Sequence, residues 1–258
     1  MKVLDWLLEA DPSIRWQVLR DLTDAPTEEV LAERARVATE GWGARLLALQ
    51  EEAGQWDGGT YFPSRVEDSE EGQPWTATTY SLLLLRDLGL DPGSEEARGA
   101  IALVRENSRW EEGDQPFFEG EVEPCINGMA VALGAYFGEN VEGVVARLLS
   151  DQLGDGGWNC KTARGSKRSS FGTTISVLEG CWRTSARPPG RRSLSQLGVV
   201  GRSTCSSAGL TLSSQGHRPC GLPPTRGCRF WPLAAIGPCS RMPRLRFTTL
   251  WGSANCCG

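Results

Sequence analysis

Gln152-Leu153-Gly154-Asp155-Gly156-Gly157-Trp158 is the stretch from which the rest of the chain can be read. So many glycines beside an aspartate make a turn, not a helix or a strand, and the turn carries a tryptophan. Two further stretches repeat the idea: Gly54-Gln55-Trp56-Asp57-Gly58-Gly59 and Ser108-Arg109-Trp110-Glu111-Glu112-Gly113. Trp56 and Trp110 are 54 positions apart, and Trp110 and Trp158 are 48 apart, so the period is near fifty. A period of that length is the mark of stacked supersecondary units.

Each turn is flanked by helical patterns. Before the turns lie 43–53, 94–107 and 140–153, with apolar residues at intervals of three and four; Val141, Val144, Val145, Leu148 and Leu149 mark one face. Ser94-Glu95-Glu96 and Asn140-Val141-Glu142 open as capped helices with acid in the first turn. After the turns come more apolar segments, 76–88, 125–137 and 171 onward, and Gly89 and Gly138 stand where helix-ending glycines belong. A helix with a charged face belongs outside and one apolar all round belongs inside. The predicted unit is therefore outer helix, Gly-Trp turn, loop and inner helix, repeated three times over 43–180. Residues 1–42 supply one or two preceding helices, around 11–20 and 27–40. The expected fold is all-α: an incomplete α/α toroid of helix-pair repeats with an irregular C-terminal tail, in which Trp56, Trp110 and Trp158 plug between neighbouring pairs. Trp16 and Trp42 are read as core or interface.

Gln152, Asp155-Gly156-Gly157-Trp158 and Thr173-Thr174-Ile175-Ser176-Val177-Leu178-Glu179-Gly180, with Gln55-Trp56-Asp57-Gly58-Gly59 and Thr76-Ala77-Thr78-Thr79-Tyr80-Ser81-Leu82 as a second copy, resemble the repeat of the terpenoid cyclase and protein prenyltransferase α/α-toroid superfamily. More narrowly, the chain resembles squalene-cyclase-like bacterial proteins, over nearly all of 1–180 and none of 181–258. The resemblance implies an isoprenoid in a central hollow and one of two chemistries. Triterpene cyclases protonate an alkene with an Asp-x-Asp-Asp acid, and no such motif occurs in this chain. The nearest acid runs are 67–71 and 119–123, both expected in loops. Prenyltransferase β subunits hold zinc through Asp-x-Cys at the start of one inner helix and His at the start of the next. Here Glu123-Pro124-Cys125 opens the second inner helix, and Phe171-Gly172-Thr173 puts glycine where the family's histidine would be. Cys160, two residues after Trp158, is a substitute ligand on this reading. Glu123 and Asp155 are the candidate catalytic acids, and Cys125 and Cys160 the candidate metal ligands. The plainer readings stand beside these: both cysteines as small core residues, Asp155 as the residue that shapes its Gly-Gly turn. Lys161, Arg164, Lys167 and Arg168 make a basic loop, able to meet a diphosphate or simply solvated. The departures from both motifs imply a chain inactive in this truncated form. The alternative is a non-catalytic helical-repeat scaffold with a protein or peptide on its concave face. Whether the chain is an enzyme, and which cofactor it takes, stay open.

The composition is uneven. Of 258 residues, the first 180 hold 16 Lys+Arg against 32 Asp+Glu, whereas 181–258 hold 11 arginines, no lysine and no acid. Seven of the nine cysteines lie in that tail, and Arg, Ser, Gly, Pro and Cys make up 46 of its 78 residues. The arginines are scattered, against a nucleic-acid arm, and the cysteine spacings fit no zinc template. The reading preferred is an out-of-frame translation of GC-rich DNA: a one-base shift permits Leu-Leu-Ala-Tyr-Glu after Gly180, a continuation of the preceding helix. The tail is expected to be disordered and protease-sensitive. With no long uncharged apolar run and an acid as early as Asp5, the expectation is a cytoplasmic chain without a membrane span.

Overall fold

A computed structural model describes residues 2–64 and 74–185. Within them the chain is helical and contains no strand; pairing is limited to the isolated bridges Trp56–Gly59 and Arg109–Pro116. Of the tail read as frame-shifted, 181–258, residues 186–258 lie outside the described residues, as does the acid run at 67–71.

The helices are α1 (Val3–Leu8), α2 (Pro12–Leu22), α3 (Thr27–Ala35), α4 (Gly41–Leu47), α5 (Thr78–Leu88), α6 (Glu95–Asn107), α7 (Pro124–Phe137), α8 (Glu142–Ser150) and α9 (Phe171–Ser185). Their ends follow local chemistry. The Asp11 carboxylate accepts from the Ser13 amide and caps α2, and the Ser94 hydroxyl accepts from the Ala97 amide and caps α6. Asn140 sits one residue before the cap position of α8, where its Oδ1 accepts from the Glu142 amide. α5 and α7 end in left-handed Gly89 and Gly138, with φ of 95° and 89°, a conformation that favours glycine. α4 is shorter than the apolar pattern predicts. Beyond Leu47 the chain is drawn into the Trp56 turn, where the Glu51 amide donates to the Gln55 carbonyl. α9 is longer: it runs through the compositional boundary at Gly180, and Cys181 is buried.

Two kinds of helix can be told apart by what they bury. α6 turns Ala97, Ala100, Ile101 and Val104 inward, and α8 turns Val144, Val145 and Leu148 inward, each keeping a polar face outside. α7 is buried on almost every side, from Ile126 to Ala135. α5 is intermediate: Leu82 and Leu85 are buried, while Leu84 is exposed. α9 lies against α7 at backbone range. A Cβ added to Gly128 would fall 2.5 Å from the Ser176 carbonyl oxygen, and one on Gly180 would fall 2.4 Å from the Gly128 oxygen. The Ser176 hydroxyl donates to the Cys125 carbonyl, 2.6 Å. These contacts set the starts of α7 and α9 side by side.

Trp56, Trp110 and Trp158 are all buried, with their indole N–H groups donating to the carbonyls of Leu46 (2.7 Å), Phe117 (3.0 Å) and Leu148 (2.6 Å). Trp56 and Trp158 share more than this. Their amides donate to the same type of partner, Thr78 Oγ1 and Thr174 Oγ1, both 3.1 Å. Gln50 and Gln152 each donate across the turn, to the Gly54 and Gly156 carbonyls. Trp16 is buried with its indole donating to the Leu88 carbonyl, whereas Trp42 is exposed over a shallow apolar groove with Leu46, Leu49, Leu84 and Leu88.

Candidate metal centre

Glu123 is the residue from which α7 starts, Pro124 is the first helical residue and Cys125 follows. The loop before it is pinned by Asn127, buried in the first turn of the helix. Its Oδ1 accepts from the Glu121 amide (2.7 Å) and its Nδ2 donates to the Glu121 carbonyl (2.8 Å). Glu121 is itself buried, and burial pushes its carboxyl above the ordinary value; it accepts the Glu123 amide. Pro124 at the first helical position suits a helix start, because its missing N–H would have had no helical partner.

Cys160 comes from a different segment. Trp158 is anchored in the core, so Asn159 and Cys160 emerge beside it into a short 3₁₀ turn, Cys160–Arg164. Asn159 caps that turn by accepting from the Lys161 amide (2.9 Å). Its Nδ2 donates to Ser166 Oγ and the Arg168 carbonyl, closing the basic loop on itself. Thr173, in the first turn of α9, contributes a buried hydroxyl.

The three segments converge. The Sγ atoms of Cys125 and Cys160 are 2.9 Å apart, Cys125 Sγ is 3.5 Å from Glu123 Oε2, and Cys160 Sγ is 3.3 Å from Thr173 Oγ1. One ligand atom from each of Glu123, Cys125 and Cys160 lies within 4.8 Å of the other two, and all three residues are half-buried. Side by side, the two thiols are pushed in opposite directions. The hydrogen bond to Cys160, then burial, push the Cys125 thiol up. The hydrogen bond it makes with Cys125 holds the Cys160 thiol down against the opposing effect of burial, and Thr173 adds to it. The arrangement is a relay in which the Cys160 thiol donates to Cys125 Sγ and the Cys125 thiol donates to Glu123 Oε2.

The donor set fits zinc. Two sulfurs and one carboxylate oxygen are ligands of the right softness, and three protein ligands leave a fourth position open. Zinc–sulfur bonds of about 2.3 Å at a tetrahedral angle place two sulfurs about 3.8 Å apart, so the thiols would separate by about 0.9 Å to bind. Compared with family models, with curated proteins and with solved structures, the chain finds no match. The geometry alone therefore carries the reading of this centre.

Asp155 is placed elsewhere in the hydrogen-bond network. Its Oδ2 accepts from the amide (2.9 Å) and hydroxyl (2.8 Å) of Ser169. Burial works against its charge, but these bonds hold the carboxyl below its ordinary value. The carboxylate ties the Gly-Gly turn to the far end of the basic loop, whose Arg164, Lys167 and Arg168 are exposed.

Two residues near the centre were not singled out by sequence. The first is Tyr61, whose hydroxyl pairs with that of Tyr80 at 3.0 Å. Burial and then Tyr80 push its phenol up, and the charges of Cys125 and Glu123 reach it too. The second is Glu111. Its Oε1 accepts from the amides of Thr60 and Tyr61 (both 2.8 Å) and Phe62 (3.2 Å), fixing the segment that carries Tyr61. Glu111 follows Trp110 directly, a position that says nothing of its partner fifty residues away. Tyr61, Phe62, Trp75 and Tyr80 form a chain of ring contacts, with centroids 4.9–5.5 Å apart.

Proposed function

We propose that this is a prenyltransferase- and squalene-cyclase-like α/α-toroid protein, and that Glu123, Cys125 and Cys160 form its zinc site, facing an isoprenoid substrate. The observation that carries the reading is the convergence of these ligand atoms from the start of α7 and the turn after Trp158. The shared bonding of Trp56 and Trp158, 102 positions apart, supports the repeat, and the contrast of buried α7 with half-exposed α6 and α8 supports concentric layers. Three such pairs close only part of a ring.

Zinc, when bound, supplies a Lewis acid and an open position for a substrate thiolate or oxygen. The chain's own groups do the rest. Glu123 Oε2 accepts from the Cys125 thiol and would stand beside the two sulfurs as the oxygen ligand, the thiols giving up their protons to solvent on binding. The rings of Tyr61, Trp75 and Tyr80 offer apolar contact for an isoprenoid chain and π-faces for developing positive charge.

The test is metal content. Purified chain, stripped with chelator and reloaded, is expected to hold one zinc per molecule. Cys125→Ala and Cys160→Ala are expected to weaken binding by more than the roughly 10–100-fold that outer partners of a metal contribute. Zinc retained by both variants refutes the site. Incubation of loaded protein with farnesyl diphosphate, geranylgeranyl diphosphate or squalene, read by mass spectrometry, then tests the substrate class. A second reading, a non-catalytic scaffold with a protein or peptide on its concave face, is favoured by Gly172. That residue stands at the histidine position of the resemblance, and a side chain there would meet open space. Bound zinc with no product from any of the three substrates would select it.

A further inference from the structure

We infer that Cys125 and Cys160 form a thiol–disulfide site that closes reversibly on reaction with a small-molecule disulfide of the glutathione type. The two sulfurs come from segments 35 positions apart, yet stand 2.9 Å from each other. A disulfide needs about 2.05 Å, so closure takes a movement of about 0.9 Å, as small as the opening that a metal would require. The sulfurs therefore stand between the separation of a disulfide and that of two ligands on one metal. Both residues are half-buried and both are free thiols, so a small reagent can reach one of them while its neighbour waits beside it.

The chemistry balances without any further reactant. Cys160, once its proton has passed to solvent, attacks one sulfur of glutathione disulfide and expels one glutathione thiolate, giving a mixed disulfide. Cys125 passes its proton to Glu123 Oε2, attacks the Cys160 sulfur and expels the second glutathione. One sulfur–sulfur bond breaks in the reagent and one forms in the protein. Two electrons reduce glutathione disulfide to two thiols, which also take up the two protons. Excess reduced glutathione reverses each step. Closure removes both sulfurs as metal donors. That consequence rests on the zinc reading, whereas the disulfide itself does not.

The test uses the full chain, freed of metal and equilibrated in buffers of varied oxidised-to-reduced glutathione ratio. After acid quenching and alkylation, non-reducing tryptic digestion leaves Cys125 in peptide 110–147 and Cys160 in peptide 148–161. The expected product is these two peptides linked, two hydrogens lighter than their sum, in at least about ten-fold higher yield than any link to a tail cysteine, and lost again in reduced glutathione. Cys160→Ser should leave Cys125 only as a thiol or a glutathione adduct, with helical circular dichroism unchanged. Separate adducts on both cysteines at every ratio, or no reaction at either, would overturn the inference. Zinc titration of the reduced protein in parallel keeps the outcomes apart: a disulfide without zinc binding refutes only the metal site, and zinc binding without a disulfide refutes only the switch.

Discussion

The three buried indoles do more than fill volume. Leu148 lies in the last turn of α8, where main-chain carbonyls lack a helical partner, and the N–H of Trp158 supplies one; the N–H of Trp56 adds a second donor to the Leu46 carbonyl, which also accepts from the Leu49 amide. Trp158→Phe keeps most of the ring but leaves the Leu148 carbonyl unpaired in the core. We expect a loss of about 1–3 kcal/mol in chemical denaturation; an unchanged midpoint would show that the bond contributes nothing. Asp155 contributes a pH dependence of predictable sign. Its folded-state carboxyl titrates below the ordinary value of 3.8 because Ser169 outweighs burial. Its contribution is therefore complete above that ordinary value and is lost as pH falls through the folded one. Asp155→Asn should lower stability near neutrality and flatten the acid limb below about pH 4, measured by thermal unfolding at stepped pH.

At the scale of elements, α7 and α9 meet through glycines, and the site depends on their meeting. Gly128→Ala would drive a Cβ against the Ser176 carbonyl, and backbone cannot yield as a side chain can. A loss of about 1–3 kcal/mol or more is expected, together with weaker zinc binding, because Cys125 and Thr173 are carried on these two helices. Gly99 makes the matching control. It sits on the exposed side of α6 with open space around it, so Gly99→Ala should raise stability by about 0.5–1 kcal/mol. Equal effects from the two substitutions would show that helix propensity, not the α7–α9 approach, governs both.

For the molecule as a whole, α9 leaves a stripe in water. Phe171, Ile175 and Trp182 are 76%, 58% and 61% exposed, and their spacing of four and seven puts them on one side of the helix. Among stacked helix pairs such a face is where another pair would add. The full chain should therefore self-associate with rising concentration, and Ile175→Glu with Trp182→Glu should suppress this in light scattering without lowering the melting temperature. Association unaffected by the double variant would place the sticky surface elsewhere, such as the groove beside Trp42.

Much of the secondary structure was legible because it is local. Apolar intervals of three and four, Ser94 as a cap and Gly89 and Gly138 as terminators act within a turn or two of the residues they affect. The helix ends were read less well where a distant partner intervenes, as at α4, which yields its last residues to the Trp56 turn. Cys125, Cys160 and Glu123 were nameable in sequence only through a resemblance, and Tyr61 and Glu111 not at all. Nothing in the order of residues brings Cys160 to 2.9 Å from Cys125. The sequence by itself settled an all-helical chain punctuated by buried tryptophans; the meeting of two thiols and a carboxylate was decided only in three dimensions. The reason is that helix formation depends on neighbours in the chain, whereas ligand geometry depends on how closely Gly128 and Gly180 let two helices approach.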